Sequence, residues 1–172
     1  MLGSIPSTSS YYKRMAEEMN MLPLEIKHAE QLCEWQYEPP YQLYGWSSWE
    51  DMQRDGIEFG DPVLRQLQYF AIVNQQSELV GFAQLFPILG VTRLGLGLRP
   101  DLCSHGRGTA FAKFIAEQAQ LLAPQDTIDL EVLTWNWRAI RAYEKAGFRI
   151  EDTYIRSTNR GAGEFHCMVY SP

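Results

Sequence analysis

No run of about 18 apolar residues occurs in the 172-residue chain, so no membrane-spanning helix is expected. Cysteine is scarce, odd in number and widely spaced, at Cys33, Cys103 and Cys167, which argues against a disulfide framework. With no signal-peptide pattern at the start, a reduced cytoplasmic protein is expected. Basic residues are outnumbered, 15 against 21 acidic, for a net charge of −6. That balance excludes general nucleic-acid or anionic-membrane binding, which needs basic surface. The pairs Cys103/His105 and His166/Cys167 lack zinc-ligand spacing, and no metal is expected. Internal repeats and low-complexity core segments are also missing.

What remains is a chain of single-domain length, with enough apolar side chains for a substantial core. Residues 1–20 begin with the small polar run GSIPSTSS and read as a flexible extension, with a short helix over Tyr11–Met19 as the other possibility. The domain is expected over 21–172. A strand over Leu22–Lys27 precedes a helix over Ala29–Gln36, which Pro39 and Pro40 terminate. Ser47 or Ser48 would cap a short helix over Trp49–Arg54. Three β-type runs follow, QLQYFAIVN from Gln66, ELVGFAQLFPI and VTRLGLGL, joined tightly enough for an antiparallel meander. A helix over Thr109–Leu122 carries Phe111, Phe114, Ile115 and Leu122 on one face. TIDLEVLT is a strand, Asn136 caps a helix over Trp137–Ala146, and Gly147 stops it. Phe148–Ile155 and Glu164–Tyr170 are the last strands. The sum is a mixed α/β (α+β) sheet without regular βα alternation.

The stretch GLGLRPDLCSHGRGTAFAKFI sets Gly106, Gly108 and Ala110 at alternate places between a strand and a helix. Backbone N–H groups converge on an anion in such a loop, and the helix N-terminus adds positive potential. The Walker pattern is excluded because no Gly-Lys-Ser/Thr follows. The dinucleotide pattern is excluded because Gly95 and Gly97 lead into Arg99-Pro100 outside any βαβ unit. Taken alone, the loop is equally a tight packing turn.

The second stretch, LEVLTWNWRAIRAYEKAGF, separates these readings. Together the two segments resemble the GNAT superfamily of acyl-CoA-dependent N-acyltransferases. The loop pattern Arg/Gln-x-x-Gly-x-Gly/Ala falls on His105, Gly106, Arg107, Gly108, Thr109 and Ala110. The later pattern falls on Asn136, Ala139, Ile140, Tyr143, Gly147 and Phe148. The likeness is sharp over 96–115 and 130–148 and extends in element order over 21–170. The second segment is especially similar to the branch that acetylates ribosomal-protein N-termini.

The resemblance implies a largely antiparallel sheet of six to seven strands, about four helices, and a splay between the fourth and fifth strands. It implies an acetyltransferase using acetyl-CoA and an amine acceptor, by direct attack in a ternary complex. Cofactor contacts are implied at Gly97, Leu98, Arg99, His105, Gly106, Arg107, Gly108, Thr109, Ala110 and Asn136. A backbone amide, at Leu98 first of all, would polarise the thioester carbonyl. His105 stands where the family carries Arg or Gln; it lacks a fixed charge, a role open to Arg107. Tyr143 is implied as the acid that protonates the departing thiolate.

Glu131 is the candidate base, through water, since strand alternation turns Asp129, Glu131 and Leu133 away from Ile128, Leu130 and Val132. A solvated or ion-paired glutamate is the competing reading, with Glu58 and Asp61 in reserve. Arg138, Arg141 and Lys145 form a stripe read as a solvated face. Among the aromatics Trp35, Tyr37, Tyr41, Tyr44, Trp46 and Trp49, most are expected to pack, while Tyr37, Tyr41 and Tyr44 are candidates to hold the acceptor. A small amine, a protein N-terminus, and a non-catalytic acyl-CoA-binding module remain the alternatives. A homodimer through an exposed last strand is also expected.

Overall fold

The structure, a computed structural model, describes residues 10, 14, 18–104 and 106–172. The reading of the first twenty residues, and that of His105, therefore falls almost wholly outside the described residues. Seven strands form one sheet in the order β1-β2-β3-β4-β5-β7-β6. They are β1 (Asn20–Pro23), β2 (Tyr69–Val73), β3 (Leu79–Ile88), β4 (Val91–Leu98), β5 (Thr127–Leu133), β6 (Phe148–Thr158) and β7 (Gly161–Tyr170). All neighbours run antiparallel except β4 and β5. The described α-helices are α1 (Ile26–Glu34), α2 (Trp49–Asp55), α3 (Pro62–Gln68), α4 (Arg107–Leu122) and α5 (Trp137–Ala146).

Several boundaries differ from expectation for local reasons. The first strand ends at Pro23 because Glu25 starts α1: its backbone N–H donates to His28 Nδ1 at 3.1 Å. Burial lowers the His28 pKa, which keeps that nitrogen an acceptor. Gln66–Gln68 belong to a helix rather than a strand. Asp61 Oδ1 accepts from the N–H groups of Val63 (2.7 Å) and Leu64 (3.3 Å), and Pro62 sits at the first helical position. Ser48, not Ser47, caps α2. The last strand, β7, is paired on both sides and is not free to join a second copy; the edges are β1 and β6.

Two cores lie on opposite faces of the sheet. α4 and α5 cover one, where Phe111, Phe114 and Ile115 meet Leu94, Ile128, Leu130 and Met168. The stripe on α4 ends at Ala119, and Leu122 stands 60% exposed. On the other face α1–α3 cover β1–β3 with Leu24, Leu32, Met52, Phe59, Tyr69 and Phe82. Trp46 packs there edge-on to Phe59 and Phe82, with Trp49 stacked on Phe59, as the packing reading expects.

β4 and β5 pair only from Val91/Thr127 to Leu94/Leu130 and then part. Beyond that point β4 continues with β3, and β5 continues with β7. The β3–β4 register runs unbroken, without a bulge, from Gly81/Leu98 to Ile88/Val91. The glycines make room for rings instead. A Cβ on Gly97 would lie 2.3 Å from the Phe82 ring, and one on Gly81 would lie 2.4 Å from Phe111. Gly97→Ala is therefore expected to overpack this junction at a cost of about 1–3 kcal/mol. Thermal unfolding checks it, as a Tm lowered by roughly 2–4 °C per kcal/mol.

Candidate active site

The register decides which backbone groups face the parting strands. Arg99 N–H donates to the Val80 carbonyl at 2.8 Å, so the antiparallel bonds of β4 to β3 fall on Arg99, Gly97 and Gly95. The N–H and C=O groups of the intervening residues point the other way. Thr92 and Leu94 meet β5, but Leu96 and Leu98 face the gap. Gly97, expected to offer its amide there, has it directed to β3 and contributes the space for Phe82. The backbone groups that face the gap belong to Leu96 and Leu98, and of these the Leu98 carbonyl is taken by a side chain.

The gap opens into a cleft of about 290 Å³ under the N-terminus of α4. Gly106 precedes that helix at φ 71°, a left-handed conformation that suits glycine, and no side chain caps it. The first-turn N–H groups of Arg107, Gly108 and Thr109 therefore have no intrahelical acceptor. A Cβ on Gly108 would meet only the Ala142 methyl, at 3.5 Å, so the helix start is held open toward α5.

The cleft collects most of the expected site residues. Gly97, Leu98, Gly106, Gly108, Thr109, Asn136, Tyr143 and the three tyrosines Tyr37, Tyr41 and Tyr44 all line it. Ala110 does not; it is buried within the first turns of α4. The side chains of Arg99 and Arg107 line a different cavity, and Arg99 is held by Asp101 at 2.6 Å and the Leu79 carbonyl at 2.9 Å. Arg138, Arg141 and Lys145, expected as a solvated stripe, border the cleft; Arg141 and Lys145 are also exposed. The four-residue step from Arg138 to Ala142, and the three-and-four spacing among the basic residues themselves, were the signals that placed them there.

Tyr143 packs against Phe148, with ring centroids 5.9 Å apart. Among the described residues no group bonds its hydroxyl. Burial, with a smaller effect of Tyr44, pushes the phenol well above its ordinary value, so it stays protonated. Asn136 caps α5 through Ala139 N–H (3.2 Å) and donates to the Tyr44 hydroxyl at 2.9 Å. Tyr37 donates to the Leu98 carbonyl at 2.8 Å. The Arg138 guanidinium lies 3.7 Å from the Tyr41 ring centre and donates to Ser104 at 3.0 Å. The loop between α1 and α2 thus ties itself to both arms of the cleft, to β4 through Tyr37 and to α5 through Tyr41 and Tyr44.

Glu131 lies on the sheet face away from α4, one residue past the last β4–β5 pair. It does not line the cleft. Its carboxylate meets Arg156 at 3.0 Å, Arg93 at 3.4 Å and the Tyr154 hydroxyl at 2.5 Å. Arg93 also holds buried Asp129 with two bonds, 2.9 and 2.8 Å long. Glu131 is therefore an ion-paired carboxylate. Of the reserve carboxylates, Asp61 caps α3 and Glu58 accepts from the buried Tyr69. Among the described residues no group of three or more His, Cys, Asp or Glu side chains is placed to hold a metal.

Gly108→Glu would set a carboxylate between the start of α4 and Ala142, where the free N–H groups converge. Since a Cβ there meets only ordinary contact, the fold is expected to persist while acetyl-CoA affinity is lost through like charge and bulk. Calorimetry and a melting curve on the same variant check both halves.

The sequence matches the family model described as the acetyltransferase (GNAT) family over residues 28–148. No curated protein matches it. Among solved structures, a GNAT-family acetyltransferase from Bacillus anthracis is similar at TM-score 0.71 and 16% identity, covering 88% of this chain and 93% of that one. A chimera of the Vibrio cholerae spermidine N-acetyltransferase SpeG with hSSAT gives TM-score 0.67 and 16% identity, covering 90% and 95%. AAC(6')-Ib, in complex with Parmomycin and AcetylCoA, gives TM-score 0.68 and 21% identity, covering 90% and 93%. At these identities the structures show a shared fold. The family match spans well over half of the chain, and the chain belongs to the GNAT family of acetyltransferases.

Proposed function

We propose that this acetyltransferase moves an acetyl group from acetyl-CoA to an amine by direct attack in a ternary complex. The single observation that carries the reading is the backbone edge of Leu96 and Leu98, which no neighbouring strand pairs, opening beside a protonated Tyr143 and the uncapped N-terminus of α4. Acetyl-CoA is the cosubstrate of GNAT enzymes, and it supplies the activated thioester. The residues present fit it. The N–H groups of Arg107, Gly108 and Thr109 suit a pyrophosphate, and Arg138, Arg141 and Lys145 add charge at the same cleft. Leu96 and Leu98 offer strand-like partners to the amide groups of its arm. The Leu98 N–H is placed to stabilise negative charge on the acyl oxygen.

In the chemistry, a bond forms from the amine nitrogen to the acyl carbon and the carbon–sulfur bond breaks. Tyr143 gives its proton to the leaving sulfur. Glu131 takes the amine's proton through water on the face away from α4. Support for Glu131 is its place at the first open position of the gap; its ties to Arg93, Arg156 and Tyr154 make it an anchored group. The acceptor narrows to a peptide N-terminus only through the likeness of residues 130–148. The three thiols, all free, agree with a cytoplasmic location.

Tyr143→Phe keeps the ring against Phe148 and removes the hydroxyl. Turnover is expected to fall by roughly 10²–10⁴ with acetyl-CoA affinity little changed. Because the fold raises this phenol, the wild-type rate should show no downturn from tyrosine ionisation at pH values up to about 10, the ordinary tyrosine value. Thiol release, measured across pH for both proteins, checks the assignment, and equal turnover would remove Tyr143 from the mechanism.

Glu131→Gln is expected to lower the rate and erase an acidic limb of the wild-type pH–rate profile, with cofactor affinity unmoved. A limb that survives in the variant assigns it to the amine itself.

A further inference from the structure

Beyond the cleft, a second hollow of about 420 Å³ lies between the loop after α1 and the β6–β7 turn. It shares Tyr37 with the cofactor cleft, so the Tyr37–Leu98 contact is the junction between the two. It lies on the sheet face of the second core: Trp46, in its wall, packs on Phe59 and Phe82. From the same hairpin, Arg156 reaches Glu131 on that face. Through Tyr37 it offers an acceptor a way toward the gap on the face opposite α4.

The charge of this hollow is one-sided. Trp35, Trp46, Gln36, Gln42 and Ser47 are neutral. Burial pushes the Cys33 thiol up to about 11 and raises Tyr37 too, so neither ionises near neutrality. Arg160 is the one formally charged side chain of the lining. Among the described residues its guanidinium has no carboxylate partner, whereas Arg156, four residues earlier, is held by Glu131. The cofactor cleft adds Arg138, Arg141 and Lys145 and no carboxylate. A third hollow, lined by Glu38 and Asp101 beside Ser104 and Arg138, shares Gln36 and Tyr37 with this one; Asp101 there is bonded to Arg99, and Glu38 stands outside the lining that Arg160 faces.

A polyamine or aminoglycoside carries further ammonium groups, which need carboxylates along their path. Nothing in this lining supplies one. We infer that the acceptor is an amine bearing a carboxylate at some distance from its reacting nitrogen, with Arg160 receiving that carboxylate. The inference rests on the acetyl-transfer reading above and narrows its substrate class.

The test is thiol release from acetyl-CoA with two matched series, α,ω-diamines and ω-amino carboxylates of equal chain length. Both are run on wild type and on Arg160→Glu, whose exposed position lets a melting curve confirm the fold. In wild type the amino carboxylates should exceed the diamines in kcat/KM by about threefold to tenfold, the range of a partly exposed charge pair. In Arg160→Glu the order should reverse, with the fall for amino carboxylates lying in KM. Diamines equal to or better than amino carboxylates in wild type, or an order that Arg160→Glu leaves unchanged, would overturn the inference and leave acetyl transfer standing. Acetyl-CoA binding without thiol release in any arm would overturn the acetyl-transfer reading itself, and this inference with it.

Discussion

The parting of β4 from β5 is the constraint on which the rest of the molecule depends. A sheet normally pairs every interior strand on both sides, because an unpaired backbone group away from water is costly. Here two interior strands pair over four positions and then separate, which leaves the edges of Leu96 and Leu98 open in the middle of the fold. Each arm has another neighbour to keep it a strand, β3 for β4 and β7 for β5. The site is thus an edge made inside a sheet, next to the start of a helix whose own N–H groups are uncapped.

The paired section below the gap is fastened by charge. Arg93 on β4 forks onto Asp129 on β5 and reaches Glu131, which Arg156 holds from β6. Asp129 is only 5% exposed. Such a pair adds little net stability over apolar packing, but removing one partner strands the other charge at a cost of about 3–5 kcal/mol. Its geometric effect is to register β4, β5 and β6 at the point where the gap begins. Glu131 therefore belongs to the frame of the site as well as to its proposed chemistry.

Much of this was legible in the residues, and the losses have identifiable causes. Strand runs, the Asn136 cap and the Gly147 stop read correctly because their signals are local: a side chain accepts from Ala139 N–H, and φ is 110° at Gly147. α3 was missed because Gln66–Gln68 adjoin a β-rich run, although Asp61-Pro62 carried a cap and a first-turn proline. The splay was expected only through the family resemblance. Strand pairing beyond the meander is non-local, and alternation does not reveal where a neighbour leaves. Arg99 and Arg107 sit beside the right loop in sequence yet face another cavity, whereas the stripe of α5 borders the cleft. Nearness along the chain placed the loop; helix periodicity, which sets Arg138 and Ala142, and Arg141 and Lys145, four apart, was the better guide to the charges.

The loop between α1 and α2 joins these parts into one device. Its tyrosines bond a β4 carbonyl, a cap residue of α5 and, by cation–π contact, the Arg138 that also meets Ser104. Each contact lies on a different wall of the cleft, so the loop fixes the width of the opening while remaining outside the sheet. Its indoles are anchored separately in the second core, which keeps the aromatic wall in place when a ligand displaces a tyrosine hydroxyl. Tyr37 stands where cofactor and acceptor hollows meet. Its bond to Leu98 occupies the acceptor group next to the amide proposed to polarise the thioester, so filling the cleft and positioning the Leu98 backbone are one structural event.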